Sequence, residues 1–403
     1  MTRMPTGTTK EEYRKACLCA AYLAGCAAGG RKPGPEMTTE AVALTGSGLL
    51  FRAAERHMIT SAVAAGLASA GIKDAAFAEA EAKAIRKNVL LDSARAEIFA
   101  RFEAEGIAHM PLKGSVLQLD YPSYGMRQMS DNDILIDAGR AADVRRIMES
   151  LGYSTEQFDA SAHDIYHKDP VYNFEMHREL VSETAGPVIT GYYAGVWSRL
   201  RLREGTACEY RFTDEDFYVY ITAHAYKHFS HSGTGLRSLL DTYVFLKKHP
   251  GLDEGYIAAE LEKLGIADFE MTARRLALDL FGEDGPFATA VAGSAGTDGT
   301  SGAVSGLPPE ENDMLEYVID SGTYGTLAHG VGNEVAKRGK LGFFIRKAFL
   351  PYRSMCSLYP VLKKAPVLLP FCWVARWVRA LVKKPEKVGL IFRSAMSAGK
   401  KED

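Results

Sequence analysis

The stretch PLKGSVLQLDYPSYGMRQMSDNDILID, residues 111–137, places a small basic turn upstream of two acids and an apolar run. The turn is Lys-Gly-Ser at 113–115, and Asp131 and Asp133 precede Ile-Leu-Ile at 134–136. Residues two apart on a strand project from the same face, so the two aspartates point the same way, about 7 Å apart. Adjacent acids repel each other unless a cation lies between them. The pattern therefore predicts a site for a divalent metal.

Mg²⁺ is the predicted ion, since it binds one or two carboxylates together with substrate phosphates. The alternative is a pair of solvated turn acids, which is common for an isolated Asp-x-Asp. The upstream turn favours the metal site. Gly114 lets backbone amides approach a ligand, and Ser115 opens a short helix, to about Leu119, whose N-terminus favours an anion. Lys113 and Arg127 add positive charge, so the turn is predicted to hold phosphates, although neither GxxxxGK[ST] nor GxGxxG occurs.

A second candidate strand, VYNFEMHREL at 171–180, alternates an apolar face with a polar one. Its polar face carries Asn173, Glu175 and His177. If the strand is central, Glu175 is a third carboxylate beside the aspartates, and three acids can hold two metals about 3.5–4 Å apart for phosphoryl or nucleotidyl transfer. The alternative is that Glu175 and His177 lie on the solvated polar face of an edge strand.

Most of the remaining chain is predicted to be helical. Apolar residues recur at three-and-four spacing in 9–30 and 39–105, and again from Thr213 to about Phe281. Between these segments the chain alternates strands with helices, which predicts an α/β unit. Its expected elements are strands at 107–112, 132–137 and 171–180, and a helix at 141–151.

We expect five regions along the chain. They are an N-terminal helical region (1–105), an α/β core (106–210), a helical domain that closes a cleft (211–281), a linker or loop rich in Gly, Ala and Ser (282–308), and a basic, amphipathic helical region (309–403).

The overall composition is that of an ordinary globular protein. The chain has 403 residues, 47% of them hydrophobic and 24% charged, and its net charge of −2 does not suggest a nucleic-acid binder. Six cysteines without a CxxC pair predict reduced, mostly buried thiols in a cytosolic protein. We identify no secretory signal and no run of about twenty apolar residues that would span a membrane, so a cytoplasmic location is expected.

Charge is unevenly distributed. Residues 337–401 carry sixteen Lys or Arg and one acid, Glu386, a net +15; with two terminal acids and a total of −2, residues 1–336 carry −15. In this tail an apolar stripe adjoins several basic residues: Trp373, Val374, Trp377, Val378 and Leu381 beside Arg376, Arg379, Lys383 and Lys384. Such a helix predicts peripheral contact of 341–393 with the anionic inner face of a membrane. The alternative is that this helix packs on the acidic body of the protein. A third and less supported possibility is that it binds nucleic acid.

The combined motifs resemble a known family. The pattern LKG-S-x5-YP-x4-R-x3-D-x-D-hhh, followed by hxEhHxxL, is similar to the uncharacterised nucleotidyltransferase family of bacteria, within the DNA polymerase beta-like superfamily. The superfamily pattern is a Gly-Ser helix turn, a [DE]-x-[DE] strand and a later acid, here Gly114-Ser115, Asp131/Asp133 and Glu175. The likeness covers roughly residues 40–280. It implies an α+β fold: a small mixed-sheet nucleotidyltransferase core flanked by N-terminal and C-terminal helical regions.

The resemblance extends to two helical segments, TDEDFYVYITAHAYKHF and LRSLLDTYVFL. The family's His, basic residue and Arg…Asp pair correspond here to His224, Lys227, His228, Arg237 and Asp241. The first three lie near one helical stripe that is predicted to meet the triphosphate or the acceptor; the alternative is a pair of satisfied interdomain histidines. Arg237 and Asp241, at i and i+4, are predicted to pair with each other.

The implied activity is transfer of an NMP group from an NTP, such as ATP, to an acceptor hydroxyl, with release of pyrophosphate. Asp131, Asp133 and Glu175 would be catalytic and would bind two Mg²⁺. The nucleotide would be bound by Lys113, Gly114, Ser115, Arg127, His224, Lys227 and His228. The acceptor stays open among a small molecule, tRNA and a protein. Two alternatives are a catalytically degenerate nucleotide-binding or interaction protein, and a toxin-like transferase acting on tRNA or protein.

Overall fold

The computed structural model describes residues 8–159, 161–182, 185–283, 307–383 and 385–398, without the side chains at 353, 357 and 387. The chain divides into two compact units, Met1–Tyr226 with Gly235–Thr323, and Lys227–Thr234 with Tyr324–Asp403. The predicted linker at 282–308 lies almost wholly outside the described residues, so it stays a prediction.

Five strands form one mixed sheet in the described part of the first unit. They are β1 (His109–Pro111), β2 (Asn132–Ile136), β3 (Ser154–Gln157), β4 (His163–Lys168) and β5 (Tyr172–His177). Their order across the sheet is β1-β2-β5-β4-β3; β2 and β5 run parallel, and the other neighbours are antiparallel. Two further short strands, β6 (Arg201–Leu202) and β7 (Tyr210–Arg211), pair with each other. β5 therefore lies at the centre of the sheet, which rules out the edge-strand alternative for Glu175 and His177.

Helices flank the sheet on both sides in sequence, which confirms the predicted α+β class. Before the sheet come α1 (Lys10–Gly29), α2 (Pro35–Gly46), α3 (Leu49–Arg56), α4 (Thr60–Ser69) and α5 (Ala75–Ala104). Between strands lie α6 (Gly114–Leu117), α7 (Ala141–Ser150) and α8 (Pro187–Tyr192). After them follow α9 (Asp214–His231), α10 (Leu236–Lys248), α11 (Glu254–Leu264), α12 (Ala267–Phe281) and α13 (Pro309–Ser321).

One face of the sheet packs against an apolar core. Phe174 and Met176 of β5 are completely buried there, as the alternation of that strand predicts. The inward side of α7 covers them with Val144, Ile147 and Met148, and the C-terminal half of α5 adds Ala94, Ile98 and Phe102. Because one side of β5 is committed to this core, its alternate residues, Glu175 and His177, project from the opposite face.

α5 is the longest helix of the described chain and begins at a strong cap. The carboxylate of Asp74 accepts hydrogen bonds from the backbone N–H groups of Ala76 and Phe77, which satisfies two amides that the helix itself leaves unpaired. At its other end, Gly106 adopts a φ of +64°, a conformation that glycine tolerates best. The chain then turns directly into β1.

The second unit consists of helices in its described part. They are α14 (Leu327–Ala348), α15 (Tyr352–Leu358), α16 (Leu369–Lys383) and α17 (Pro385–Ser397). α14 is interrupted at Gly339, whose φ of 70° and ψ of 163° are not helical. Two small apolar cores hold the unit, one around Phe343 and Ala395 and one around Met355 and Leu362. Among the described helices of either unit, none is both long and apolar enough to cross a membrane.

The six cysteines are free thiols. Five are buried, and Cys208 is half-buried. This confirms the prediction of unpaired, mostly buried thiols.

Candidate functional site

The three predicted acids meet where β2 begins. Asp131 immediately precedes β2, and Asp133 is its second residue. The parallel register of β2 and β5 places Asp133 beside Glu175, and neighbouring strands lie about 4.8 Å apart. The predicted adjacency of the third carboxylate is therefore confirmed, whereas the catalytic role of the three acids stays a prediction.

Asp133 is the most tightly held of the three. It is 6% exposed, and its Oδ1 accepts hydrogen bonds from Lys113 Nζ at 2.5 Å and from His177 Nε2 at 2.7 Å. Burial acts to raise the pKa of Asp133, but the Lys113 charge and the His177 hydrogen bond outweigh it and hold that pKa far below its usual range. The carboxylate is therefore ionised at neutral pH, with both hydrogen bonds on one oxygen.

Asp131 has the opposite electrostatic environment. Burial, Asp133 and Glu175 together raise the pKa of Asp131 to about 6, against the smaller opposing effect of Lys113. Mutual repulsion of this kind would be relieved by a bound divalent cation, and carboxylate oxygens are the donors that Mg²⁺ prefers. The residues present therefore fit the predicted metal.

The raised pKa of Asp131 predicts a pH effect on stability. A carboxyl group whose pKa is higher in the folded state than in the unfolded state stabilises the fold below its unfolded pKa of about 3.9, and this stabilisation is lost as pH rises to about 6. Asp131→Asn should therefore raise the Tm of the metal-free protein at about pH 8 and leave it nearly unchanged at about pH 4. Thermal unfolding in a chelator at both pH values is the measurement; an equal change at both would contradict the argument.

The turn at 113–115 differs in detail from its prediction. α6 spans only Gly114–Leu117, shorter than expected, and a single turn provides little helix dipole for a phosphate. Ser115 Oγ donates to Leu112 O at 2.7 Å. A Cβ added at Gly114 would clash with Nη1 of Arg127, so this glycine permits the close approach of an arginine. Phosphate binding at the turn would depend mainly on Lys113.

Arg127 forms a buried ion pair with Asp241 on α10. Arg127 Nε and Nη2 lie 2.8 and 2.9 Å from the two carboxylate oxygens of Asp241, and Tyr121 also donates to Asp241 at 2.7 Å. The sequence spacing predicted Arg237 as the partner of Asp241. Arg237 Nη1 instead lies 3.4 Å from Gln128 O. The bidentate pair commits two of the three nitrogens of Arg127 to a structural contact, and its contact with nucleotide stays a prediction.

α5 supports the segment that leads into β2. Lys87 Nζ donates to Ser130 O at 2.8 Å, Asn88 Nδ2 to Arg127 O at 3.0 Å, and Arg95 Nη1 to Asn132 Oδ1 at 2.7 Å. The sequence interpretation did not identify these supporting residues. The available signal was their spacing, since residues 88 and 95 are seven apart and lie on one side of the helix.

His163 and His177 also lie at the acids, and neither was assigned to the site from sequence. The antiparallel register pairs the two histidines across β4 and β5, with ring centroids 5.1 Å apart. β4 was not recognised because it is short and largely polar. The segment HDIYHK has no clear polar and apolar alternation, and its pairing with β5 places residues 163, 165 and 167 on the face of Glu175 and His177.

α9 approaches the acids through Tyr220. Tyr220 is 1% exposed, and its hydroxyl has no hydrogen-bond partner among the described residues. Burial raises the pKa of Tyr220; Lys113 lowers it, and Asp133 raises it further. The ring of His224 lies 6.4 Å from that of Tyr220. Lys227 and His228 belong to the second unit, so the predicted nucleotide contacts of these residues stay predictions.

A cavity of about 590 Å³ in the first unit borders Ser115. Its wall combines aromatic side chains with acids and arginines, among them Asp92, Arg95, Phe99, Arg203, Glu209 and Arg211. A cavity of this size with a few converging polar groups has the usual properties of a small-molecule site.

Comparison with known proteins gives one match. A family model described as an uncharacterised nucleotidyltransferase matches residues 46–282, more than half of the chain. The matched range contains β1 to β7 and α3 to α12. No curated protein and no solved structure matches the chain.

Proposed function

The chain belongs to the uncharacterised nucleotidyltransferase family, and from this we propose that it transfers an NMP group from an NTP to a hydroxyl of an acceptor and releases pyrophosphate. The observation that carries the proposal is the convergence of three carboxylates at the start of β2. Asp133 and Glu175 are neighbours in the sheet, Asp131 is two residues before Asp133, and burial together with the charges of Asp133 and Glu175 raises the pKa of Asp131.

In this proposal Asp131, Asp133 and Glu175 would hold Mg²⁺, which when bound would neutralise phosphate charge during the transfer. Lys113 and His177 orient Asp133 by binding one of its oxygens, so the other can face the ion. Lys113 keeps its positive charge, because Asp133 raises its pKa although burial would lower it. That charge also suits the NTP phosphates.

The chemical step is an in-line displacement. Glu175 is ionised at neutral pH, since the nearby His177 imidazole lowers its pKa, and it accepts the proton of the acceptor hydroxyl. The hydroxyl oxygen forms a bond to the α-phosphorus, and the bond from that phosphorus to pyrophosphate breaks. Most of the rate would come from positioning and electrostatic stabilisation.

The test is calorimetric titration of each NTP, with and without Mg²⁺, into the wild-type chain and into Asp131→Ala/Asp133→Ala. We expect at least one NTP to bind the wild type only when Mg²⁺ is present, and the double variant to lose that binding. Binding of an NTP without Mg²⁺ and unchanged in the variant would favour the catalytically degenerate alternative. Binding of none of the NTPs would overturn the proposal.

A further inference from the structure

A group of nitrogen and oxygen ligands lies on the sheet face next to the acids. His163 and His177 are direct cross-strand partners on β4 and β5, and Glu175 is two residues before His177, so all three side chains project from one face. Nε2 of His177 lies 3.6 Å from Oε2 of Glu175, and Nε2 of His163 lies 3.8 Å from the same oxygen. The three ligand atoms lie within 4.8 Å of one another.

These distances are close to those around one tetrahedral ion. Two ligands bound at about 2.0–2.1 Å in a tetrahedral arrangement lie about 3.4 Å apart. Two of the observed separations are a few tenths of an ångström longer than this, and the third, between the two imidazole nitrogens, is within 4.8 Å. The backbone positions are fixed by the sheet, since β5 is its central strand.

We propose that His163, Glu175 and His177 bind a divalent transition metal of the Zn²⁺ class, with one position left open. Imidazole nitrogen suits Zn²⁺, whereas Mg²⁺ prefers oxygen ligands only. In the metal-free protein Nε2 of His177 donates to Asp133. Metal binding shifts the ring proton to Nδ1 and frees Nε2 as the ligand. The inference bears on the proposed function through Glu175, because a Glu175 bound to this metal would leave Asp131 and Asp133 to hold Mg²⁺.

The test uses the full, untagged chain, freed of metals with a chelator and titrated with Zn²⁺ in excess Mg²⁺. We expect the wild type to bind one Zn²⁺ at this site and His163→Gln to weaken that binding at least about tenfold. The matched control is His167→Gln, on the same face of β4 but half-buried and paired with Glu156 at 2.5 Å; it should bind Zn²⁺ as the wild type does. Co²⁺ in place of Zn²⁺ should give the visible absorption of a tetrahedral site, lost in His163→Gln.

Equal Zn²⁺ affinity in the wild type and in His163→Gln would overturn this inference. Its failure is distinguishable from failure of the proposed function. If Zn²⁺ binds as expected but no NTP binds with Mg²⁺, the metal site is supported and the proposed nucleotidyl transfer is contradicted. If an NTP binds with Mg²⁺ while His163→Gln leaves Zn²⁺ binding unchanged, the metal site is contradicted and the proposed function is supported.

A separate observation concerns the second unit, where α16 exposes an apolar stripe. Phe371 is 72% exposed, Val374 50%, Val378 55% and Val382 74%. Their spacing of three and four places them along one side of the helix. Isolated exposed apolar residues are ordinary, but a continuous stripe on one helix marks an interaction surface.

The two tryptophans predicted to belong to this stripe have another role. Trp373 Nε1 donates to Leu350 O at 3.0 Å, and Trp377 Nε1 donates to Ala348 O at 2.7 Å. Phe349 packs edge-on against both rings. The tryptophans therefore attach α16 to its own unit, and the opposite side of the helix, with Phe371, keeps its apolar residues exposed.

We infer that this stripe, together with its basic border, docks on an anionic lipid surface. Arg379 and Lys383 on the same helix are exposed and adjoin the stripe, and residues 337–401 carry a net charge of +15. Each basic residue near an anionic bilayer adds electrostatic attraction, and the apolar side chains enter the headgroup boundary. α16 is a 15-residue helix, a length suited to lying in the interface rather than crossing it.

The test is co-sedimentation of the full chain with vesicles of phosphatidylcholine, alone or mixed with phosphatidylglycerol. We expect binding only to the anionic vesicles, weakened by salt, and at least about tenfold weaker for Phe371→Asp/Val378→Asp. Val361→Asp, exposed in the same unit but outside α16, is the control and should bind normally. No binding to anionic vesicles would overturn the inference. The inference would also be overturned if Phe371→Asp/Val378→Asp abolished self-association or tRNA binding and left lipid binding unchanged.

Discussion

Asp133→Asn should abolish NMP transfer, with a fall in rate of at least about 10³-fold, or about 4 kcal/mol of transition-state stabilisation. Asp133 is the most buried of the three acids, and Lys113 and His177 hold one of its oxygens. An asparagine keeps the shape and an oxygen acceptor for both donors, so the chain should still fold. It removes the negative charge that would bind the metal.

The measurement is transfer of label from α-labelled NTP into the small-molecule, tRNA and protein fractions of a bacterial extract, which also reports the acceptor class. Asp137→Asn is the matched control. It lies directly after the other end of β2, is exposed, and caps Gly139 N, so transfer should stay within about twofold of wild type. Turnover retained by Asp133→Asn would exclude the proposed site. Growth arrest on expression of the wild type, relieved by this substitution, would identify a toxin-like transferase.

Asp241→Ala should have the largest effect on stability, a loss of about 3–5 kcal/mol. Arg127 and Asp241 are both buried, and their bidentate contact joins α10 to the segment that leads into β2. Burial acts to lower the pKa of Arg127, but Asp241 raises it above its ordinary value, so the guanidinium is charged. Removing the carboxylate leaves that charge buried and unpaired, which costs far more than losing an exposed ion pair.

Urea unfolding of Asp241→Ala measures this loss, and two controls separate its causes. Arg145→Ala breaks an exposed pair with Glu149 and should cost less than about 1 kcal/mol. Arg127→Met/Asp241→Leu replaces both charges with apolar groups and should recover most of the stability. NTP binding by this folded double variant would show that Arg127 acts only structurally, whereas its loss would support the predicted contact with nucleotide. An Asp241→Ala protein as stable as wild type would contradict the argument.

Secondary-structure elements that depend on a local sequence pattern were predicted well. β2 and β5 follow from an apolar run and from strict alternation, and α7 follows from helical spacing. The same alternation placed Glu175 on a polar face, and the sheet order then put it beside Asp133. β3 and β4 were missed because short, largely polar segments have no strong local preference; β4 forms a strand by pairing with β5, and β3 by pairing with β4.

The sequence by itself determined the elements that carry the three acids, since side-chain period and apolar runs act over a few residues. Only the tertiary structure decided which charges meet. Asp241 pairs with Arg127, 114 positions away in the sequence, and not with Arg237 in its own helix. His163 lies beside Glu175 and His177 because of the strand register. The physical reason is that ion pairs and ligand clusters depend on distances between elements, and these are set by the packing of the whole unit rather than by any local pattern.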